Sequence, residues 1–281
     1  MARRNVATEP MSRLATWALR LAVFALVAAL LSIVVVQSGL LEIQPAIATF
    51  LGTLAIAGLA ILLALGSLIG IWNKGLRGLG RGLGAMAIGW ALLAYPAYLG
   101  VRAYRLPWIY DVTTDTSDPP RFEALSRVRP RDANPVDYPG AAAAEIQASL
   151  YPDIEPYFAE ATPQVVYDAA LAVINKRRWR VVDDRPPQAG RSEGHIEAVA
   201  RTPVMGFRDD VVVRVRPAPG GARLDIRSAS RYGPNDLGAN GARVRALLEA
   251  IDEALSVRRP APPPAKAAPA LPKRGNQTDK R

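Results

Sequence analysis

The sequence predicts three transmembrane α-helices followed by an α+β soluble domain, in which about four antiparallel strands are covered by two helices. Two observations support this fold class. The first part of the chain contains three apolar runs, each long enough to cross a hydrocarbon core of about 30 Å. Later in the chain, short runs rich in β-branched residues alternate with turn-forming segments, and an amphipathic helical pattern stands on each side of them.

The apolar runs extend over about residues 17–36, 46–72 and 83–104, so residues 17–108 are predicted to form a three-helix transmembrane region. The first run exceeds the roughly 7 to 15 apolar residues of a secretory signal peptide, and we interpret it as a retained anchor. Arg20 is the single charged residue of the spans before the end of the third. Transporters hold ions with ionisable or unwound polar groups at mid-membrane, so a pump or carrier is disfavoured.

Lysine and arginine are unevenly distributed between the loops. Arginines precede the first span, the next loop (QSGLLEIQP) has no Lys or Arg, and the hinge NKGLRGLGRG at residues 73–82 is basic. Because Lys and Arg are retained on the cytoplasmic side, residues 1–16 and the hinge are expected to be cytoplasmic. The third span then ends on the opposite side, where Arg102 and Arg105 fit an interfacial belt with Trp108.

The spans also contain two pairs of small residues spaced four apart, Gly66 with Gly70 and Ala85 with Gly89. Small residues at this spacing allow two membrane helices to approach closely. We interpret both pairs as packing sites within one chain, with a dimer interface as the alternative.

Residues 109–161 are predicted to form an extended strap and then an irregular connection. Thr and Val in IYDVTTDTSDPPRF favour an extended backbone, and Pro119 and Pro120 exclude a helix. Within the connection, one short helix is expected at AAAAEIQASL.

Residues 162–257 carry the pattern of the α+β domain. TPQVVYDAALAVINKRR predicts an amphipathic helix that Thr162 caps, and NGARVRALLEAIDEAL predicts a second one capped by Asn240 or Asp236. The runs WRVVDD, HIEAVAR, DDVVVRVR and ARLDIRS between them predict four strands. Because apolar residues alternate with polar ones, we expect one sheet face to be buried and the other to be exposed to water. The exposed face is expected to carry Arg214, Arg216, Arg223 and Arg227.

The formal net charge of +10 suggests nucleic-acid binding until it is divided along the chain. Residues 1–110 carry nine Lys and Arg against two Asp and Glu, whereas residues 111–257 carry nineteen against twenty-two. Since the soluble domain is slightly acidic, a nucleic-acid partner is not expected. Residues 258–281, rich in Pro, Ala and basic residues, are predicted to be a disordered tail.

Few residues are suited to catalysis or to metal binding. The chain has no cysteine and His195 is its only histidine, so we predict no metal site and no cofactor. Ser192, Ser228 or Ser230 could join His195 in a Ser/His/Asp arrangement, but the chain has no G-x-S-x-G elbow, P-loop or G-x-G-x-x-G.

Two acidic pairs, Asp183 with Asp184 and Asp209 with Asp210, are further candidates for acid–base or cation chemistry. Neighbouring side chains in a strand point to opposite faces, so neither pair forms a chelate by itself. We therefore favour solvation at strand ends as the role of both pairs.

The ligand-binding candidates lie in the third strand and in SRYGPNDLGANGAR. An aspartate that enters a valine strand is costly unless it is paired, which singles out Asp210 with Arg208. At the predicted start of the last helix, backbone N–H groups and guanidinium groups could hold an anionic headgroup. The alternative is a capped turn, with Arg231 paired to Asp236. The candidates are Arg208, Asp210, Arg231, Asp236, Asn240 and Arg243.

Three segments, DVTTDTSDPPRF, TPVMGFRDDVVVRV and SASRYGPNDLGANGARVRALL, together resemble a bacterial and plastid family called domain of unknown function 1499. The resemblance covers roughly residues 109–257. It implies a protein of the bacterial cell envelope and transfers no catalytic role to any residue. With the loop charges, it predicts a multi-pass protein of the bacterial inner membrane, with a cytoplasmic N-terminus and a periplasmic C-terminal domain.

The leading functional hypothesis is a noncatalytic binding or envelope-accessory role, anchored in the lipid bilayer, with an envelope lipid headgroup, a glycan or a protein as partner. The alternative is an envelope-directed hydrolase that uses Asp210, Asp236 or His195. A third possibility is a structural or assembly role carried by the spans.

Overall fold

The computed structural model describes residues 9–38, 43–188, 193–202, 204 and 206–258. Three long apolar helices precede an antiparallel sheet domain with helices, which confirms the predicted fold class. The sheet has six strands where about four were expected. The predictions that concern Ser192 and the basic tail after position 258 lie outside the described residues.

The three helices of the membrane region are α1 Arg13–Ser38, α2 Ile43–Lys74 and α3 Leu79–Arg105. Each is long and apolar enough to cross a membrane. They pack through a seam of small residues, which lets their backbones approach closely. Its buried members are Ala18, Ala22, Ala60, Ala64 and Ala85. Gly89 of α3 faces Ile61 and Ala57 of α2, so this small-residue pair packs within the chain, as predicted.

The segment before α1 is bonded to the hinge between α2 and α3. The Ser12 N–H donates to the Arg77 carbonyl over 2.8 Å, and the Arg77 N–H donates to the Pro10 carbonyl over 3.1 Å. The Arg81 side chain also donates to the Thr16 hydroxyl. The N-terminal segment and the basic hinge therefore lie at the same end of the bundle. The opposite end holds the C-terminus of α1 and the C-terminus of α3, from which the chain continues into the soluble domain.

The six strands form one antiparallel sheet in the order β1-β6-β5-β4-β3, and β2 lies beside the same edge of β6 as β1. They are β1 Asp111–Thr113, β2 Tyr157–Ala159, β3 Arg180–Arg185, β4 Gly194–Arg201, β5 Arg208–Ala218 and β6 Gly221–Ser230. The two additional strands come from the segment predicted as strap and connection. They occupy the outer edge of β6, whose backbone N–H and C=O groups would otherwise be unpaired.

Four helices complete the domain: α4 Ala124–Val128, α5 Ala141–Leu150, α6 Pro163–Lys176 and α7 Ala239–Arg258. Of these, α5 matches the short helix expected at AAAAEIQASL, and α4 was not expected. The Val165 N–H donates to the Thr162 hydroxyl, which caps α6 as predicted. Helices α6 and α7 cover one sheet face, where Ile174 and Leu247 pack with Ile196, Val213 and Ile226 of the strands.

The opposite sheet face is covered as well, which corrects the expectation that it is exposed to water. The strap folds back over it, and Phe122 and Leu125 pack against Val199 and Val212. Arg214 is only 6% exposed and Arg227 only 2%, because acidic and carbonyl groups of the strap surround both side chains. We call this surface the covered face.

We predict that Gly89→Ala destabilises the helix bundle. The added Cβ would lie 2.6 Å from Cγ1 of Ile61, so the helices must separate or Ile61 must move. Overpacking of this kind costs about 1–3 kcal/mol. The measurement is unfolding of the full chain in mixed detergent micelles. Gly100→Ala in the same helix is the control, since its Cβ meets nothing within 4 Å. Equal stability of the two variants would contradict this packing.

Candidate functional site

The covered face carries a cluster of carboxylate and guanidinium groups around Asp225, which is fully buried. Asp225 accepts hydrogen bonds from Arg214 over 3.0 and 3.2 Å, from Arg216 over 3.0 Å and from Arg223 over 2.9 Å. Two strap carboxylates balance the remaining positive charge. The Asp225 cluster comprises Asp115, Asp118, Asp225, Arg214, Arg216 and Arg223. Its arginines are the ones expected to face water, and they bind the strap instead.

A second buried pair fixes the first strand after the membrane. Arg227 donates to both carboxylate oxygens of Asp111, over 2.9 and 2.7 Å, and stacks on the Phe122 ring at 4.6 Å. Burial raises the pKa of Asp111, and the guanidinium of Arg227 partly opposes this rise. The pair ties β1 to β6 through side chains in addition to the backbone ladder.

Asp210 lies between two arginines. Arg129 donates to one carboxylate oxygen over 2.6 Å, and Arg231 donates to the other over 2.9 and 2.7 Å. These partners replace both pairings considered from the sequence, Asp210 with Arg208 and Arg231 with Asp236. With both oxygens taken by buried guanidinium groups, Asp210 stabilises the attachment of the strap to β5 and β6.

The candidate residues at the start of α7 form a bonded turn. Asp236 accepts from the Gly238 N–H over 2.8 Å and from the Asn240 N–H over 2.7 Å, which confirms its predicted capping role. Asn240 bonds to Ser228, and Arg243 donates to Asn240 and to Asp209. Burial raises the pKa of Asp236, although the two backbone N–H groups act in the opposite direction. The side chains that could hold an anion here are bonded to one another.

His195 lies on the covered face beside Glu197 and Asp183, and the three have ligand atoms within 4.8 Å of one another. The Glu197 carboxylate accepts from His195 over 2.9 Å and from three backbone N–H groups of residues 123–125 over 2.7 to 3.0 Å. Asp183 accepts from Arg185. Four donors thus point at the Glu197 carboxylate, which caps the start of α4.

The serines that remained candidates for a Ser/His/Asp arrangement lie on the other side of the sheet. Ser228 and Ser230 bond to Asn240 on the helix-covered face, whereas His195 pairs across the ladder with Arg214 on the covered face. The sheet separates them, and no such arrangement forms with either serine. The neighbouring Asp209 and Asp210 likewise point to opposite faces, as predicted. The expected solvation at a strand end is wrong for this pair, because both side chains are buried and bound to arginines.

Residues 111–251 match the model of a family described as "Protein of unknown function (DUF1499)". The match covers half of the chain, from β1 into α7. The chain belongs to the DUF1499 family. No curated protein matches the sequence. The DUF1499 domain therefore includes the whole sheet and its strap, and the three membrane helices precede it.

One group of charges in the DUF1499 domain differs from the rest. Arg208 pairs across the ladder with Arg201, and Arg180 pairs with Val199, so the three arginines share the covered face at one end of the sheet. We call Arg180, Arg201 and Arg208 the arginine patch. Burial and the nearby guanidinium groups of the patch and of Arg231 lower the pKa of Arg208. None of the three forms a salt bridge with a carboxylate in the described part of the chain.

The arginine patch opens into a groove of about 310 Å³. The groove is lined by Arg177, Arg178, Trp179, Arg180, Val199 and Arg201. Of the sequence candidates only Arg208 belongs to the patch. Arg180 and Arg201 were missed, because Arg180 begins β3, Arg201 ends β4 and only the sheet register brings them together.

The DUF1499 domain is bonded to the ends of two membrane helices. The Gln37 side chain donates to the Val204 carbonyl over 3.0 Å, and Arg201 donates to the Gln37 carbonyl over 3.3 Å. At the end of α3, the Asn235 side chain donates to the Leu106 carbonyl over 3.0 Å. The two bonds of Gln37 hold the β4–β5 end of the sheet, and with it the arginine patch, beside the last turn of α1.

We predict that Glu197 makes the domain sensitive to acid. Burial of Glu197 opposes its ionisation, but the bonds from His195 and the backbone of α4 outweigh burial and lower its pKa below the ordinary 4.5. Since the folded state then binds fewer protons, this stabilisation is present above pH 4.5 and is lost as the pH falls through the folded-state pKa.

The test is Glu197→Gln, which is expected to lower the free energy of unfolding at pH 7 by about 2 kcal/mol. The variant should also lose the part of the pH dependence of stability that comes from ionisation of Glu197. Urea unfolding of the full chain in detergent, followed by circular dichroism, measures both. Glu145→Gln, at an exposed position of α5, should leave both unchanged. An unaltered pH profile in Glu197→Gln would refute this assignment.

Proposed function

We propose that the protein is a multi-pass anchor of the bacterial inner membrane that holds a noncatalytic DUF1499 domain at the periplasmic surface. There the domain acts as a binding or accessory module for an envelope component: a lipid headgroup, a glycan or a protein. The observation that carries the proposal is that the residues a hydrolase would need are bonded internally. Asp210 is held by two arginines, Asp236 caps α7 and His195 binds Glu197.

A general acid or base must exchange its proton with a substrate, so it needs access and a spare lone pair. Asp210 is fully buried beneath the strap, and each of its oxygens accepts from a guanidinium. Asp236 is 8% exposed, and its oxygens accept from backbone N–H groups. Such arrangements stabilise a fold, which favours a binding module over the hydrolase.

The orientation rests on the distribution of charge between the two ends of the bundle. The end with the hinge carries Lys74, Arg77 and Arg81, and the N-terminal segment is bonded to it. Because basic loops are retained in the cytoplasm, this end is assigned to the cytoplasm and the domain to the periplasm. Arg102, which counts against this orientation by charge alone, lies beside Gly238 of the domain.

Alkaline phosphatase fused to the C-terminus is expected to be active, because the enzyme folds in the periplasm. The same enzyme fused into the hinge at Gly75 should be inactive, and it serves as the matched control. The measurement is phosphatase activity in intact cells, normalised to fusion-protein level. An active hinge fusion with an inactive C-terminal fusion would reverse the orientation and remove the envelope role.

Asp210→Asn is expected to destabilise the domain, because it leaves Arg129 and Arg231 buried without a full counter-charge. Breaking a buried pair in this way costs about 3–5 kcal/mol. Asp184→Asn, at an exposed aspartate of β3, is the control and should be neutral. The readout is urea unfolding of the full chain. A variant as stable as the wild type would favour the hydrolase, in which Asp210 serves chemistry.

A further inference from the structure

The arginine patch lies on the covered face and carries positive charge that no carboxylate of the described residues balances. Elsewhere on this face the buried guanidinium groups bind carboxylates, as Arg227 binds Asp111 and Arg231 binds Asp210. Arg180, Arg201 and Arg208 share a face with no described carboxylate in a salt bridge to them. Like charges held close together raise the energy of the fold, and a bound anion relieves that cost.

The patch also has the shape of an anion site. Its groove, of about 310 Å³, is large enough for a phosphate group together with its substituents. Arg177, which stacks on the ring of Trp179 at 5.6 Å, and the exposed Arg178 add charge to the rim. A guanidinium binds phosphate oxygens through two parallel N–H donors, and this pairing is stronger than a neutral hydrogen bond.

The position of the patch identifies the source of the anion. Arg201 donates to the carbonyl of Gln37 in the last turn of α1, and Gly206 approaches Val36 of the same turn. The headgroup layer is roughly 5–7 Å thick on each side of the hydrocarbon core, comparable to the reach of an arginine side chain. Trp179 on the groove wall suits this boundary, since its ring is apolar and its N–H is polar. An anionic ligand available at this boundary is the phosphate of a lipid headgroup.

We propose that the arginine patch binds the phosphate group of an anionic lipid headgroup at the surface where α1 leaves the bilayer. This deepens the proposed function, on which it rests, by naming the ligand class of the binding module. Arg180 of β3 and Arg201 of β4 line the groove and hold the phosphate, and Arg208, which pairs with Arg201 across the ladder, adds positive charge beside them. The site fixes the sheet against the headgroup layer and makes the binding dependent on lipid charge.

The experiment uses the full chain in a neutral detergent, with added phosphatidylglycerol, phosphatidylcholine or inorganic phosphate as separate probes. Native mass spectrometry counts retained lipid, and thermal unfolding monitors stabilisation. Wild-type protein is expected to retain phosphatidylglycerol in preference to phosphatidylcholine, with a Tm that rises with the anionic lipid. The preference should weaken with added salt, because charged groups at the surface are screened.

The variant is Arg180→Gln combined with Arg201→Gln, and it is expected to bind phosphatidylglycerol at least about tenfold more weakly. Arg121→Gln combined with Arg127→Gln removes the same charge from exposed positions outside the patch, and should bind like the wild type. Arg201 also donates to Gln37 of α1, so its replacement alters a contact with the membrane helix as well as the patch. Arg180→Gln alone is therefore the second variant, since the Arg180 side chain is exposed and takes no part in that contact.

Equal phosphatidylglycerol binding by the wild type and by both patch variants would overturn the proposal. Saturation of the patch by inorganic phosphate, without preference for the anionic lipid, would overturn the lipid as the source of the phosphate. The proposed function is tested separately, by the phosphatase fusions and by Asp210→Asn. A negative lipid-binding result would therefore contradict the role of the arginine patch and leave the proposed function standing.

Discussion

A guanidinium group is buried at acceptable cost only beside a counter-charge, and this constraint organises the DUF1499 domain. Asp225, Asp111 and Asp210 are all fully buried on one sheet face, and each accepts from at least one arginine. Because desolvation is costly, such pairs contribute little net stability, but removing one partner leaves the other charge buried without a counter-charge. The apolar part of this face is small, so the charges decide how the strap lies on the sheet.

The same constraint connects the sheet to the membrane half. Asp111 is the first residue of β1, soon after α3 ends, and its partner Arg227 is in the central part of β6. The chain that leaves the bilayer is thus fixed to the sheet by a buried ion pair as well as by backbone bonds. With Gln37 and Asn235 bonded across the junction, the DUF1499 domain is attached to two helix ends.

The elements with a strong local pattern could be predicted from the sequence. Apolar length indicates the three spans, amphipathic periodicity indicates α6 and α7, and alternation indicates β3 to β6. The three-residue strands β1 and β2 carry no such pattern, since a segment that short cannot show alternation. They exist because β6 needs its outer edge paired.

The role of the second sheet face could not be predicted for a different reason. In β5, valine alternates with arginine whether the polar side faces water or a carboxylate of the strap, so the two cases have the same sequence. Asp111 and Arg227 are 116 positions apart, and no local rule connects them. The capping role of Asp236 was predictable because it depends on residues within one turn. The arginine patch depends on strand register, which the sequence does not display.

The short linker between α3 and β1 limits how far the domain can move from the membrane. Residues 106–110 separate the two elements, and five residues span at most about 17 Å even when fully extended. With so short a tether, the domain stays beside the end of α3. Molecules must come to the lipid surface to encounter it, so the protein samples a thin layer in which concentrations are set by the membrane's own composition.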